Sequence, residues 1–425
     1  MDNTQEDPVL TGYVTRAASG SDFDANDVHI VCSGVKSCVI ESICDVKQSA
    51  VGCLGYPPFV GEPLKVYGFR RTVDRVDAII ATRIEFQPTL PREISGSAVI
   101  DAAPSPEPAG AMASGLLVRA DGYRIRITGK TKIEWNPPLR SLADVKAGDW
   151  IKYKGKQDAA GVLVAASVQI GPNAIGSGED KLREKREYDP SAVPATAKQN
   201  FVKDGFAGGC MGSYVGGCDP KRFPPFKDAQ MQARIEKIGN NLVPAYQSAL
   251  PDSDPAKIGF RFQLIDTKLF RDALTLPSGI ILVPHQVVER LQNDSQLAAV
   301  LADAIARALE RQQYREQGKQ KAAMASMLGG AFVPYAGGGI AMEGASAEGG
   351  ILAHEQQQSG RVSLTLLHDA GYDIDQAPMA WWLLDPGKPK PLSEIEMPDR
   401  ADYLYSILGE IWHNPAANAS ADTKP

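Results

Sequence analysis

The sequence predicts a multidomain α+β protein: two small all-β, barrel-like domains in tandem, then a mainly helical domain with a small edge sheet. Three observations carry this expectation. The chain has 425 residues, more than one hydrophobic core usually serves. From Thr11 to Pro172 it alternates and turns in the manner of strands, and it repeats itself. From Lys227 onward apolar residues recur at helical spacing instead.

The repeat can be read segment by segment. Gly61-Glu-Pro-Leu-Lys-Val-Tyr-Gly68 is answered by Gly148-Asp-Trp-Ile-Lys-Tyr-Lys-Gly155, and Asp77-Ala-Ile-Ile-Ala-Thr-Arg-Ile-Glu-Phe86 by Gly161-Val-Leu-Val-Ala-Ala-Ser-Val-Gln-Ile170. Each unit opens on a Gly, at Gly12-Tyr13-Val14 and Gly115-Leu116-Leu117. The pattern resembles tandem OB-like β-barrels of bacterial exported proteins. The first unit spans 8–88 and carries an insertion with the early cysteines; the second spans 114–172. Between them, 89–113 is rich in Pro, Ala, Ser and Gly and reads as a linker. An irregular connector is expected over 173–226, with a charged run from Glu179 to Glu187 that suits a short helix or a solvated spacer equally.

Composition narrows the class. Hydrophobic residues at 43% and charged ones at 23% describe a globular chain, and the net charge of −6 exerts no global pull on nucleic acid. No run is long and apolar enough to read as a membrane span. Six cysteines fall in two compact groups, Cys32, Cys38, Cys44 and Cys53, then Cys210 and Cys218. An even count without a Cys-x-x-Cys knuckle favours local disulfides over zinc, with free buried thiols as the plain alternative. Disulfides imply export to the periplasm or cell envelope. Because Met1 leads into the polar Asp2-Asn-Thr-Gln-Glu-Asp7, the expectation is a signal peptide absent from the given chain.

The second β-unit is locally basic. Leu116 to Lys156 holds ten Lys or Arg against four Asp or Glu. Arg124, Arg126, Lys130, Lys132, Lys152, Lys154 and Lys156 sit at alternating positions, which places basic side chains on one face of each strand. Such a face suits an anionic polymer, although a merely solvated strand face is the plainer reading. Tyr123 and Tyr153 alternate with the basic positions and are expected to point inward.

The C-terminal domain is expected over 227–415, with 416–425 as a tail. Met231, Ile235, Ile238 and Leu242 mark the apolar face of a first helix ended by Pro244. Strands follow over 258–265 and 279–283. Next comes the helix Asn293 to Gln312, capped by Asp294 or Ser295, with Leu297, Val300, Leu301, Ala304, Ala308 and Leu309 as one stripe. The small, Gly-rich stretch from Ala322 reads as a hairpin or a membrane-touching loop, with 322–342 as the candidate contact. A further helix is expected from about Leu352 to Ala370 and an apolar one starting at Trp381. Tyr403 to Trp412 supplies the last.

From about Lys227 to Trp412, four stretches in order resemble family forty-eight of the metallopeptidases, the HtpX- and BepA-like zinc proteases. Asp272-Ala-Leu-Thr-Leu-Pro-Ser-Gly-Ile-Ile-Leu-Val283 is similar to the family's Asn-Ala-Phe-x-x-Pro-Gly-Gly edge strand. Asp294 to Gln312 is similar to its Glu-Leu-Ala-x-Val-Leu-Ala-His-Glu-x-x-His helix, through Leu297-Ala-Ala-Val-Leu-Ala302. Gln358-Ser-Gly-Arg361, leading to Ala370-Gly-Tyr-Asp373, is similar to its Glu-Ala-Asp-Arg segment and Gly-Tyr-Asp-Pro turn. Met397-Pro-Asp-Arg-Ala-Asp-Tyr-Leu404 is similar to its late His-Pro stretch.

The resemblance implies a zinc held by two histidines one helical turn apart and an acidic residue of a second helix, with a glutamate as general base. Here those positions hold Asp303, Arg307, Gln358 and, at the base, Ala304. A guanidinium has no lone pair to give a metal. None of the five histidines, His29, His285, His354, His368 and His413, pairs with another at one-turn spacing. His354-Glu355 begins like the motif but ends in Gln358, and both are expected to be solvated.

The sequence therefore implies a pseudopeptidase without a cofactor, in which Arg307 reaches Asp303 and Gln358 across the old metal site. Whether that pair is buried or an ordinary surface pair stays open at this level. The expected partner is an envelope protein or peptide, held along Gly279, Ile280, Ile281, Leu282 and Val283 as an edge strand, or an anionic polymer on the basic face. No specific nucleic acid is expected. A zinc-dependent endopeptidase with an atypical metal site is the alternative.

Overall fold

The computed structural model describes residues 7–19, 22–31, 39–42, 58–73, 76–87, 92–106, 115–158, 160–185, 187–193, 223–267, 271–315, 354–385 and 390–413. All six cysteines, the Gly-rich stretch 322–350 and the tail 416–425 lie outside the described residues. The fold is mixed α/β.

Six strands form the first β-unit: β1 (Leu10–Ser19), β2 (Asp22–Ala25), β3 (Val28–Val31), β4 (Val39–Ser42), β5 (Pro63–Val73) and β6 (Val76–Phe86). They run in the order β3-β2-β1-β5-β6-β4, and β3 also pairs with β6, which closes a five-stranded barrel. The closing pair is parallel, His29 against Ala78, while β1, β2 and β5 pair antiparallel. Val14, Phe23, Ile30, Leu64, Ile79 and Ile84 fill it as a separate core.

The second unit repeats this order with β7 (Glu93–Pro106), β8 (Leu116–Ala120), β9 (Tyr123–Ile127), β10 (Lys132–Trp135), β11 (Trp150–Gln157) and β12 (Leu163–Gly171). Its parallel β9–β12 contact closes the ring, and β10 lies parallel to β12 as β4 does to β6. The repeat seen in the sequence is thus β5 with β6 against β11 with β12.

One expectation fails here. The supposed linker 89–113 contains β7, the first strand of the second barrel, paired with β11 from Glu93 to Val99 and with β8 from Ile100. Ala, Ser and Pro supply little side-chain signal, but a ladder is made by the backbone, which these residues still offer. Gly115-Leu116 accordingly opens the second strand of that barrel and not the first.

Beyond the barrels lie α1 (Ser177–Lys185), α2 (Ala229–Leu242), α3 (Ala245–Ser248), β13 (Arg261–Ile265), β14 (Leu274–Thr275), β15 (Ile280–Pro284), α4 (His285–Arg290) and α5 (Asp294–Leu309). They are followed by α6 (354–369), α7 (Gln376–Leu384) and α8 (Asp399–Ile407), which runs on as a π-turn, Leu408–Trp412. The charged run from Glu179 is helical, as α1. Trp381 and Trp382 end α7 where a helix start was expected.

The second barrel and the helices share one core. Tyr123, Ile125 and Ile151 belong to the same buried cluster as Leu301, Val362 and Leu404. At about 1.5–3 kcal/mol for each large apolar side chain removed from water, such a joint core binds the two units firmly. Both barrels also touch the end of the chain. Gly61 (φ +87) packs its backbone on Gly409 and Tyr405, and Gly161 (φ +73) on the Glu410 carbonyl, where a Cβ would collide in either case. Tyr13 of β1 stacks on Tyr405, with centroids 6.2 Å apart.

Candidate functional site

Helix α5 positions the site. Its cap is Asn293, one residue before the expected Asp294 or Ser295, and its side chain accepts from the Gln296 N–H at 2.9 Å. The expected stripe understates its burial. Every residue from Gln296 to Arg307 is buried, so α5 is enclosed by α2, α7 and the small sheet. The polar face that carries Asp303 and Arg307 is therefore interior.

Among the described residues, four charged side chains meet there. Arg307 Nη2 lies 2.6 Å from Asp303 Oδ2 and 3.1 Å from Asp272 Oδ2. Arg400, from the first turn of α8, pairs with Asp303 through Nη2 and with Asp272 through Nη1 at 3.1 Å. Ser359 Oγ donates to Asp303 Oδ1 at 2.7 Å, and the Arg400 guanidinium lies 3.2 Å from the Trp381 ring centroid. Within this group of described residues, two cations balance two anions. Exposure is 0% for Asp303, 3% for Arg307, 9% for Arg400 and 16% for Asp272, which decides the open question in favour of a buried network. Burial by itself pushes the Asp303 carboxyl up, but the charges of Arg307 and Arg400, with hydrogen bonds from Arg400 and Ser359, outweigh it and hold it below the usual carboxylate range.

This arrangement does not fit a zinc ion. Asp303 is the one metal-binding side chain among the positions that the family resemblance assigns to ligands. Both of its neighbours across the site are fixed cations, which repel a third. The Ala304 side chain is a buried methyl, and its carbonyl accepts from Thr275 Oγ1 at 2.9 Å. Among the described residues, no group of three or more His, Cys, Asp or Glu is placed to hold a metal ion.

Asp303 and Arg307 come together as expected, whereas Gln358 turns away. Its Nε2 donates to the Ser97 carbonyl of β7 at 2.9 Å, and its Oε1 accepts from Arg315 Nη1 at 3.4 Å. Sequence reasoning missed Asp272, Ser359 and Arg400 as site members. Asp272 and Arg400 stand in two of the family-like stretches, and their opposite charges were the available signal. His354 is exposed as expected, but Glu355 is buried, at 1% exposure, with its carbonyl accepting from Gln312 Nε2 at 2.8 Å.

A second polar seam joins the helices to the second barrel. From Glu93 to Val99 the far edge of β7 has no strand partner among the described residues, and side chains take its backbone groups: Gln358 at the Ser97 carbonyl and Glu310 at the Val99 N–H, 3.2 Å. Arg315 adds a bond to Ser97 Oγ at 3.0 Å and lies over Trp150. Deeper in, Arg361 donates to Asp121 Oδ1 at 2.7 Å, to the Asp121 carbonyl at 3.0 Å and to the Tyr403 hydroxyl at 2.5 Å, while the Tyr153 hydroxyl also donates to Asp121. Among the described residues Asp101 Oδ2 is buried without a hydrogen bond, 3.9 Å from Arg119 Nε. Burial, with help from Asp369 and Asp121 and against Arg119, pushes Asp101 up to about 7. Glu310 is likewise held well above the usual range, by burial first and then by Asp121 and Asp101 against Arg315.

The expected peptide-binding edge strand is not an edge. Ile280, Ile281, Leu282 and Val283 lie in the central strand of a three-stranded sheet ordered β13-β15-β14, and all are buried; Gly279 precedes it. Five consecutive buried residues are what a strand covered on both faces shows. The edges are β13 and β14; along β13 the Gln232 amide donates to Phe262 O at 2.7 Å and accepts from Leu264 N–H at 2.8 Å, and Pro225 bridges Ile265.

On the basic face, Lys130, Lys132, Lys152, Lys154 and Lys156 are exposed, and Tyr123 and Tyr153 point inward, as expected. Arg124 and Arg126 are engaged, with Ala160 O at 3.3 Å and Asp158 at 2.8 Å. No protein-family model matches the chain, and no curated protein matches its sequence.

Proposed function

We propose that the chain is a catalytically inactive relative of the zinc metallopeptidases, a binding or scaffold protein of the cell envelope behind two barrels of OB type. The single observation that carries the first part is the buried Asp303–Arg307–Asp272–Arg400 network, which occupies the polar face where the family resemblance puts zinc and its water. A peptidase needs an electrophile and a base at that place; here two guanidiniums and a methyl stand there. The strand order and the parallel closing pair support the OB-type reading of both barrels. The paired cysteine clusters support export.

With Gln358 and Glu310 turned to β7, the groups nearest the old cleft serve the chain's own backbone. Binding then falls to the outer surfaces. The test is metal analysis of purified protein after dialysis against zinc, together with cleavage of an unfolded protein such as casein. The expected outcome is substoichiometric zinc and no cleavage that a chelator abolishes. Stoichiometric zinc with chelator-sensitive cleavage would overturn the reading in favour of the metalloendopeptidase.

A further inference from the structure

The outer face of the second barrel carries a row of lysines that is independent of the pseudopeptidase reading. Lys152, Lys154 and Lys156 are exposed in one row of β11, about 6.8 Å apart, because alternate residues of a strand share a face. Strand pairing extends the row sideways. Lys154 lies opposite Ser167 of β12, which lies opposite Lys132 of β10, so a fourth ammonium stands two strands away on the same face. Two acids share the face, Glu93 directly opposite Lys156 and Glu134 across Gln169 from Lys152, which leaves the four lysines in excess, while Asp158 is paired with Arg126 at 2.8 Å.

The face is not flat. The ladder slips between Lys154 and Gly155, and the small residues Gly155, Ala165 and Ala166 leave a cleft of about 570 Å³ beside Lys154 and Lys156. Val164 adds to its aliphatic lining, and Lys154 and Lys156 line it together with Glu93 and Asp158, the latter paired with Arg126. No aromatic ring faces it among the described residues that line it. Trp150, at the head of the same strand, is covered by Arg315, with 5.0 Å between guanidinium and ring centroid.

We propose that this face binds an acidic polysaccharide, a chain of sugar rings each bearing a carboxylate or sulfate. The regular spacing of ammonium groups suits a polymer with charge recurring along its length better than a single small anion. An aliphatic lining receives the CH face of a sugar ring. A nucleobase would be read by stacking, and the cleft offers nothing to stack on.

The experiment uses the full chain with polygalacturonate as probe, neutral dextran and oligothymidylate as comparisons, and a titration at low and at raised salt. The expected result is binding of polygalacturonate that weakens steeply with salt, and none of dextran. The K152Q/K154Q/K156Q variant should bind about tenfold weaker or less tightly still, with a shallower salt dependence, because three released counterions are lost. K237Q, an exposed lysine of α2, should bind like the parent. All three lysines of the variant are solvent-exposed, and an unchanged melting temperature verifies its fold; the single change K154Q, expected at two- to threefold, reads the same site if it does not. The proposal is overturned by no binding at low salt, by an unchanged triple variant, by equal losses in K237Q, or by tighter binding of oligothymidylate.

Discussion

Replacing Arg307 by Met tests whether the α5 network is an interior structure. Met keeps most of the length and the helix preference of Arg, so the change is chiefly one of charge. In the parent, Asp303 and Asp272 share two guanidiniums. In the variant they share one, and Asp303 stays fully buried with Arg400 and Ser359 as its remaining partners. Removing one partner of a buried pair costs about 3–5 kcal/mol, against about 0.3–0.5 kcal/mol for a pair on a helix surface. The D303L/R307M double change removes one charge of each sign and leaves Asp272 with Arg400. It should cost less than R307M alone, since a neutral apolar replacement strands nothing. Urea unfolding followed by tryptophan fluorescence is the assay, because Arg400 rests on Trp381. A loss below about 1 kcal/mol for R307M, or a double variant as unstable as the two single changes summed, would refute the argument.

Other outcomes follow from the seam between barrel and helices. R361M should destabilise by about 3–5 kcal/mol, because Asp121 would stay buried without its cation, and hydrogen exchange should show β7–β9 and α6 losing protection together. Asp101, raised from 3.8 to about 7, makes stability fall as pH rises between those values, since the unfolded chain releases that proton first. Glu310 acts in the same sense from 4.5 upward. D101N and E310Q should therefore flatten the decline and stabilise the protein at pH 8; an unaltered pH profile in urea melts would contradict this. Asp303 works oppositely: its depressed pKa adds stability above 3.8 that is lost in stronger acid, and D303N should remove that acid-side loss.

Local pattern was legible where side chains carried it. The strands β5, β6, β11 and β12 announce themselves by repetition, Tyr123 and Tyr153 by alternation, and α5 by its stripe. What stayed hidden is set by distant partners. Arg400 and Asp272 reach α5 from other elements, and their opposite charges within two family-like stretches were the one hint of it. The strand β7 escaped because small residues do not signal a ladder that the backbone makes. The middle position of β15 was available, since an unbroken apolar run such as Ile280-Ile-Leu-Val283 favours a covered strand over an edge. Gln358 could not have been placed, because a carboxamide pairs equally well with a guanidinium and with a strand carbonyl.

The contacts of Gly61 and Gly161 with residues 405–411 carry a consequence for the order of synthesis. Each barrel has its strands in hand long before the ribosome reaches Tyr405, so each can close while the rest of the chain is still being made. Their seat arrives last. Until the turn at Leu408–Trp412 emerges, the turn before β5 and the turn between β11 and β12 both stay bare, and its arrival completes the contacts made through Gly61 and Gly161. A ribosome that stops a dozen codons short of Trp412 would release a first barrel without its Tyr405 and Gly409 contacts, beside a second barrel already packed on α5 and α6.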